Sequence, residues 1–420
     1  MNFRNTQLLA LAVLLFTSCK EEVATLFTEM SAEDTGLVFE NTLVETEDYN
    51  VMTYEYIYNG GGVAVGDLNN DGLADVYLSG NQVNNKLFLN KGDFKFEDIT
   101  AKAKIEEKEG WKTGVSMADV NGDGLLDIYL CYSGNATSEG FTQPVVKEYV
   151  GRANQLFINQ GNDTNGIPVF LEQAKEYGVD ALGTFTTQAY FLDYDLDGDL
   201  DLFLLNHANK FYNTLFNVKH LRNLRHPYYG NKLYQNKDGK FVEVSEEAGI
   251  YGTGINFGLS AAISDLNKDG LPDIFVTNDY SEQDFCYINK GDGTFKEISK
   301  SSFGHFSKYA MGSDIADVNN DLEPDLFVVD MLPEDNYRQK ALKGADNYNR
   351  AQTLKDSGYH HQYMRNNLQI NRGHDPAGNL QFSEIAQLSG ISNTDWSWAP
   401  LIADYDNDGL KDIFVTNGYL

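Results

Sequence analysis

Carboxylates recur in this sequence at a spacing suited to holding a hard cation. A nine-residue pattern, D-x-[D/N]-x-D-G-x-x-D, occurs six times. The copies start at Asp67, Asp119, Asp193, Asp265, Asp317 and Asp404. Side-chain oxygens at positions 1, 3, 5 and 9 of so short a loop can converge on one point, and the position 7 carbonyl can add another ligand. Glycine at position 6 permits the sharp turn; the fifth copy has Leu322 there instead. The expected ligands are Asp67, Asn69, Asp71 and Asp75 in the first loop and Asp119, Asn121, Asp123 and Asp127 in the second. The third offers Asp193, Asp195, Asp197 and Asp201, and the fourth Asp265, Asn267, Asp269 and Asp273. The fifth offers Asp317, Asn319, Asp321 and Asp325, and the sixth Asp404, Asp406, Asp408 and Asp412. Up to six Ca2+ ions are expected.

The pattern is not that of a helix–loop–helix calcium site, which needs a bidentate Glu at position 12. That position holds Leu78, Leu130 and Val276 in the first, second and fourth copies. Each loop is followed instead by a β-rich run such as DVYLSG, DLFLLN or DIFVTN, so its ninth residue opens a strand. A small-residue strand precedes each loop, as in GGGVAVGD (60–67) and FGLSAAISD (257–265). A third strand bounded by Asn follows in the first five repeats, as in NKLFLNKG (85–92) and NQLFINQG (154–161). A fourth is led by Phe96, Phe170, Phe241, Phe295 or Phe382, with N-x-G or K-D-G hairpin signals between. Four consecutive antiparallel strands per unit predict an all-β fold, a six- or seven-bladed β-propeller of four-stranded blades. The calcium loops would join first and second strands. Phe27–Ser31 repeats the fourth-strand motif ahead of the first loop, as if to complete the last repeat, which is incomplete.

Other segments carry their own signals. Arg4 and the apolar run Leu8–Phe16 read as an export signal over residues 1–18, too short to span a bilayer. Phe16-Thr17-Ser18-Cys19 resembles a lipobox, which would make Cys19 the site of lipidation, residues 19–25 a tether, and residues 26–420 the repeat domain. The protein is then expected to be exported and lipid-anchored to the outer membrane, exposed at the cell surface. A formal charge of −30 argues against nucleic acid as a partner. Cys131 and Cys286 lie in strand-like runs of different repeats and read as buried free thiols.

The loops between small-residue and DIFV-type strands resemble the FG-GAP and VCBS repeats of integrin α-chain propellers and many bacterial surface proteins. The N-x-L-[F/Y]-x-N strand, the F-x-E-[I/V]-S strand and Ala248-Gly249-Ile250 look like the bacterial lipoprotein branch of that family. The resemblance spans roughly residues 26–420. It implies a propeller with Ca2+ between first and second strands.

No catalytic constellation stands out: G-x-S-x-G, H-E-x-x-H and P-loop patterns are absent from the sequence. His207 ends a second strand and reads as a solvated loop histidine, the alternative being a place facing a central binding surface. Insertions near 131–153, 207–230 and 331–366 carry Tyr149, Phe211, Tyr212, Tyr228, Tyr229, Tyr337, Tyr348, Tyr359 and Tyr363. Such aromatics stack on sugar rings, anchor proteins or seal insertions against the body. The expected function is a calcium-binding surface module for a glycan or surface protein. The competing reading is a polysaccharide lyase or hydrolase with its site in the insertions.

Overall fold

A computed structural model describes residues 25–47, 49–105, 108–136, 146–209, 219–280, 282–342 and 347–418. The chain divides into a short N-terminal unit ending at Ser31 and a large unit, Ala32–Leu420. The large unit is all-β with short helices in its connections.

Five sheets have four antiparallel strands, in sequence order. The first is built from Val63–Gly66, Asp75–Leu78, Lys86–Asn90 and Phe96–Asp98. In every repeat the ninth loop residue pairs with the last residue of the first strand, as in Gly66 with Asp75 and Ser264 with Asp273. The loop therefore sets the register of the hairpin it closes. The sixth unit has two strands, Ser397–Ala403 and Asp412–Asn417. A short parallel pair, Phe306–Ser307 with Gln362–Tyr363, ties down the longest insertion.

The expected six- or seven-bladed propeller is corrected by this pairing. The sheets are discrete, none is closed into a propeller or barrel, and the sixth unit has no third or fourth strand among the described residues. Phe27–Ser31 does not form the strand expected of it. Four strand signals per repeat identify sheets, but local pattern does not encode how separate sheets close.

The second strands of the second to fifth sheets are apolar without alternation because both of their faces are covered. Asp201–Asn206 is buried throughout. Its Leu202 and Leu204 pack with Tyr129, Leu156 and Ile158 of the second sheet, while Phe203 and Leu205 pack with Ile274, Val276 and Phe285 of the fourth. One core thus lies between each pair of successive sheets, and each fully buried Leu or Phe contributes about 2 kcal/mol. Cys131 and Cys286 are free thiols inside these cores.

First strands are rich in small residues because successive ones abut. A Cβ on Gly62 would lie 2.7 Å from the Val115 nitrogen, and one on Gly114 would lie 2.7 Å from the Thr187 carbonyl oxygen. First-strand residues of the second to sixth sheets, with Gly60–Gly62 just ahead of the first strand, line a cavity of about 390 Å3 that also receives Tyr54, Tyr56 and His207. Gly62→Val should therefore destabilise the fold by about 2 kcal/mol through overpacking. The expected readout is a lower urea midpoint with an unchanged m-value. An unchanged midpoint would show that the first strands have slack.

Candidate metal loops and polar clefts

All six loops fold alike. The position 1 carboxylate accepts the N–H of position 5 at 3.0–3.1 Å and that of position 6 at 2.8–3.1 Å. The position 5 carboxylate accepts the N–H of position 7 at 2.8–3.0 Å. These bonds hold the side chains of positions 1 and 5 over one small turn. Leu322 makes the same contact as the glycines, its N–H donating to Asp317 at 2.8 Å, and takes a φ of 69° to do so. Its side chain is 79% exposed, so the cost is backbone strain and not a clash.

Position 3 divides the loops into two kinds. Where it is Asn, its Nδ2 donates to the position 5 carboxylate at 2.9–3.1 Å, in the loops of Asn69, Asn121, Asn267 and Asn319. The third and sixth loops have Asp there and lose that donor. Asp193, Asp195 and Asp197 bring carboxylate oxygens within 4.8 Å of one another, as do Asp404, Asp406 and Asp412. These two acidic clusters could hold a metal ion. In the third loop Asp195 Oδ2 accepts from Gln235 Nε2 at 2.6 Å, while its Oδ1 is buried without a hydrogen-bond partner. An orphaned buried carboxylate oxygen facing two more carboxylates suits a hard divalent cation.

Position 9, also expected as a ligand, has a further duty that spacing does not reveal. One oxygen accepts the position 2 N–H at 2.9–3.1 Å in all six loops. In the first five repeats the other accepts the N–H of the third-strand Asn, at 2.8–2.9 Å. Burial pushes the carboxyl of Asp127 up to about 6 and those of Asp201 and Asp273 up to about 7, opposed by these hydrogen bonds. Among the described residues Asp412 has no third strand beside it, and it joins its acidic cluster.

The third-strand Asn then reaches backwards along the chain. Nδ2 of Asn159, Asn236, Asn289 and Asn371 donates to the position 2 carbonyl of the preceding loop, on Leu68, Val120, Tyr194 and Leu266 respectively. Each of the first four loops is thereby tied to the next sheet. The signal was present in the sequence as an Asn ending every third strand.

His207 is not the solvated loop histidine its position suggests; it is 2% exposed. Its Nδ1–H donates to the Ala208 carbonyl at 3.0 Å, which leaves Nε2 to accept from Ser133 Oγ at 2.7 Å. Tyr54 in turn donates to Ser133 Oγ at 3.1 Å. Burial holds the imidazole down at about 4, so it is neutral at physiological pH. Ser133 is 1% exposed.

The insertion aromatics split. Tyr229 and Tyr359 are buried and seal their segments, while Tyr337, Tyr348 and Tyr363 are exposed. Tyr149 lines a cleft of about 550 Å3 with Tyr49 and Trp111. Phe211 and Tyr212 lie outside the described residues. A second cleft, about 690 Å3, is lined by Arg222, Arg225 and Lys300. Its cations are already engaged: Arg222 pairs with Glu282 at 2.7 Å, and Arg225 and Lys300 donate to the carbonyls of Ile250 and Gly358.

Fold and loops together define an all-β repeat protein built on acidic turns. Residues 67–130 and 265–328 match the FG-GAP-like repeat family, each match covering two loops. Cartilage acidic protein 1 of Xenopus tropicalis is 28% identical over 261 residues, 60% of this chain and 35% of that protein. The mouse protein of that name is 21% identical over 372 residues, 85% of this chain and 48% of its own length. The chain thus spans less than half the length of these relatives. A solved lectin of Agrocybe aegerita, described by its recognition of non-reducing terminal N-acetylglucosamine, aligns with a TM-score of 0.44 and 14% identity. That alignment covers 84% of this chain and 73% of the lectin chain.

The bacterial lipoprotein reading is corrected by these relatives, which are vertebrate proteins. The loop and strand motifs belong to the repeat itself and do not report how a protein is attached. Anchoring rested on residues 1–18 and Cys19 alone, and these lie outside the described residues. No helix among the described residues is long and apolar enough to cross a membrane.

Two substitutions test the loop chemistry. Asp195→Asn restores the amide donor that the Asn loops possess, so it should raise the melting temperature of cation-free protein while weakening cation binding about tenfold at that loop. Calorimetry with and without chelator separates the two effects; a lower cation-free melting temperature would contradict the repulsion. Leu322→Gly should relieve about 1–2 kcal/mol of left-handed strain and return part of it as chain entropy. The expected net gain is about 0.5 kcal/mol, read by denaturant unfolding.

Proposed function

We propose that this chain is a calcium-stapled, non-catalytic binding module for carbohydrate, acting outside the cell. The observation that carries the proposal is one oxygen array repeated in all six loops, with the same backbone bonds at each. An arrangement repeated six times is a scaffold device. It assigns the acidic chemistry to holding hairpins together and leaves recognition to the clefts.

The donor set is all oxygen and includes carboxylates at positions 1 and 5 of every loop, which suits Ca2+ over softer metals. Partly exposed loops of this kind favour dissociation constants of about 0.1–1 mM, typical of extracellular modules. Carbohydrate is favoured as ligand by the cleft of about 550 Å3 lined by Tyr49, Trp111 and Tyr149, of which the half-buried Tyr49 and Tyr149 offer ring surface for a sugar. A polysaccharide lyase or hydrolase would need an accessible acid–base pair, and the buried Ser133–His207 contact does not provide one.

Calcium at one hundred times its dissociation constant should add about 2.7 kcal/mol per site, so chelation should lower the melting temperature strongly. An unchanged melting temperature across calcium levels up to several millimolar would refute the staple. Calcium-loaded protein should retain saccharides on a glycan array, and a blank array with folded protein would refute carbohydrate as the ligand.

A further inference from the structure

Five of the six loops are joined in series by hydrogen bonds that lie beside their ligand positions. Asn159 shows the arrangement. Its backbone N–H donates to Asp127, the position 9 carboxylate of the second loop, at 2.8 Å. Its Nδ2 donates to the position 8 carbonyl of that loop, on Leu126, at 3.2 Å, and to the position 2 carbonyl of the first loop, on Leu68, at 2.9 Å. Asn236, Asn289 and Asn371 repeat all three contacts between the second and third, third and fourth, and fourth and fifth loops. All four side chains are buried. Two neighbouring pairs also touch directly, through Asn70 Nδ2 on the Gly124 carbonyl at 3.1 Å and Lys268 on Glu323 at 2.9 Å. The sixth loop stands apart. Its sheet has no third strand among the described residues, so no third-strand Asn reaches from it to the fifth loop.

The position 2 carbonyl belongs to the rigid peptide unit that leads into ligand position 3. The position 9 carboxylate is itself an expected ligand. Each Asn therefore holds a ligand of one loop and the peptide before a ligand of the loop that precedes it. A position 9 carboxylate fixed on a cation also fixes the Asn N–H it accepts, and the Asn side chain passes that ordering to the neighbouring turn. The neighbour then has less conformational entropy to lose when it is loaded. Buried hydrogen bonds in series also polarise one another, which strengthens the link. We propose that the first five loops take up Ca2+ cooperatively through Asn159, Asn236, Asn289 and Asn371, while the sixth loads independently. The four Asn act as positioning residues. The proposal rests on the calcium reading above and adds coupling between the sites.

The test titrates the intact, metal-free chain with calcium chloride by calorimetry. The isotherm should show a Hill coefficient of about 1.5–2 for the coupled sites. Asp197→Ala, which disables the third loop, should weaken the remaining sites about fivefold. Asp408→Ala, which disables the sixth, should remove one site and leave the affinity of the others unchanged. Asn289→Leu keeps the backbone donor and removes the amide, so it should bring the Hill coefficient toward unity with the number of sites unchanged. An Asn with a structural role alone would lower the melting temperature with and without calcium and leave the Hill coefficient where it was; that result overturns the proposal. If Asn289→Leu does not fold, the Asp197→Ala and Asp408→Ala pair decides. Calcium bound with a Hill coefficient of unity, or equal effects of the two loop variants, overturns the coupling and leaves the staple intact. No binding heat and no stabilisation by calcium overturns the staple itself, and the coupling with it.

Discussion

A buried carboxylate with two backbone N–H groups on it organises this molecule. The ninth loop residue, Asp75 in the first repeat, accepts from Leu68 in its own loop and from Asn90 in the third strand. It therefore joins the turn, the second strand and the third strand through one side chain. Taking a carboxylate out of water costs several kcal/mol unless such bonds compensate. The third-strand Asn extends the arrangement by reaching the preceding loop, so successive repeats share a polar seam beside their apolar cores. Removing the Asp would leave two backbone N–H groups unsatisfied within its own repeat, and removing the Asn side chain would free a carbonyl in the preceding repeat.

The sequence is most informative where one chemical demand recurs at fixed spacing. The loops, the strand order within each repeat and the buried thiols could all be read in advance. Each depends on residues close in sequence, so periodicity and turn chemistry report them. Closure could not be read this way: how the sheets sit around their shared cavity depends on packing between residues far apart. His207 was misjudged for a related reason. It ends a strand among polar residues, and nothing local shows that Tyr54, Tyr56 and Phe185 enclose it. The aromatic-lined cleft was equally hidden, since Tyr49, Trp111 and Tyr149 come from three separate segments.

The difference between Asn and Asp at the third loop position shows how one functional group can tune a site. An amide both accepts and donates, so it quiets the neighbouring carboxylate without help. A carboxylate only accepts, which leaves three negative groups together until a cation arrives. Four loops thus offset part of their own charge, whereas those of Asp195 and Asp406 hold the two acidic clusters that could take a metal ion. The vertebrate relatives place this repeat design in proteins much longer than this chain.

Coverage of the second strands sets an order of opening. Asp201–Asn206 is buried along its whole length between two cores, whereas Asp412–Asn417 is half exposed with a single partner strand. Backbone amides in the former are protected against hydrogen exchange by everything around them, and those in the latter only by their hairpin. Protection therefore rises from the sixth sheet toward the middle ones, and the inner sheets form the slowest-exchanging foldon of the chain.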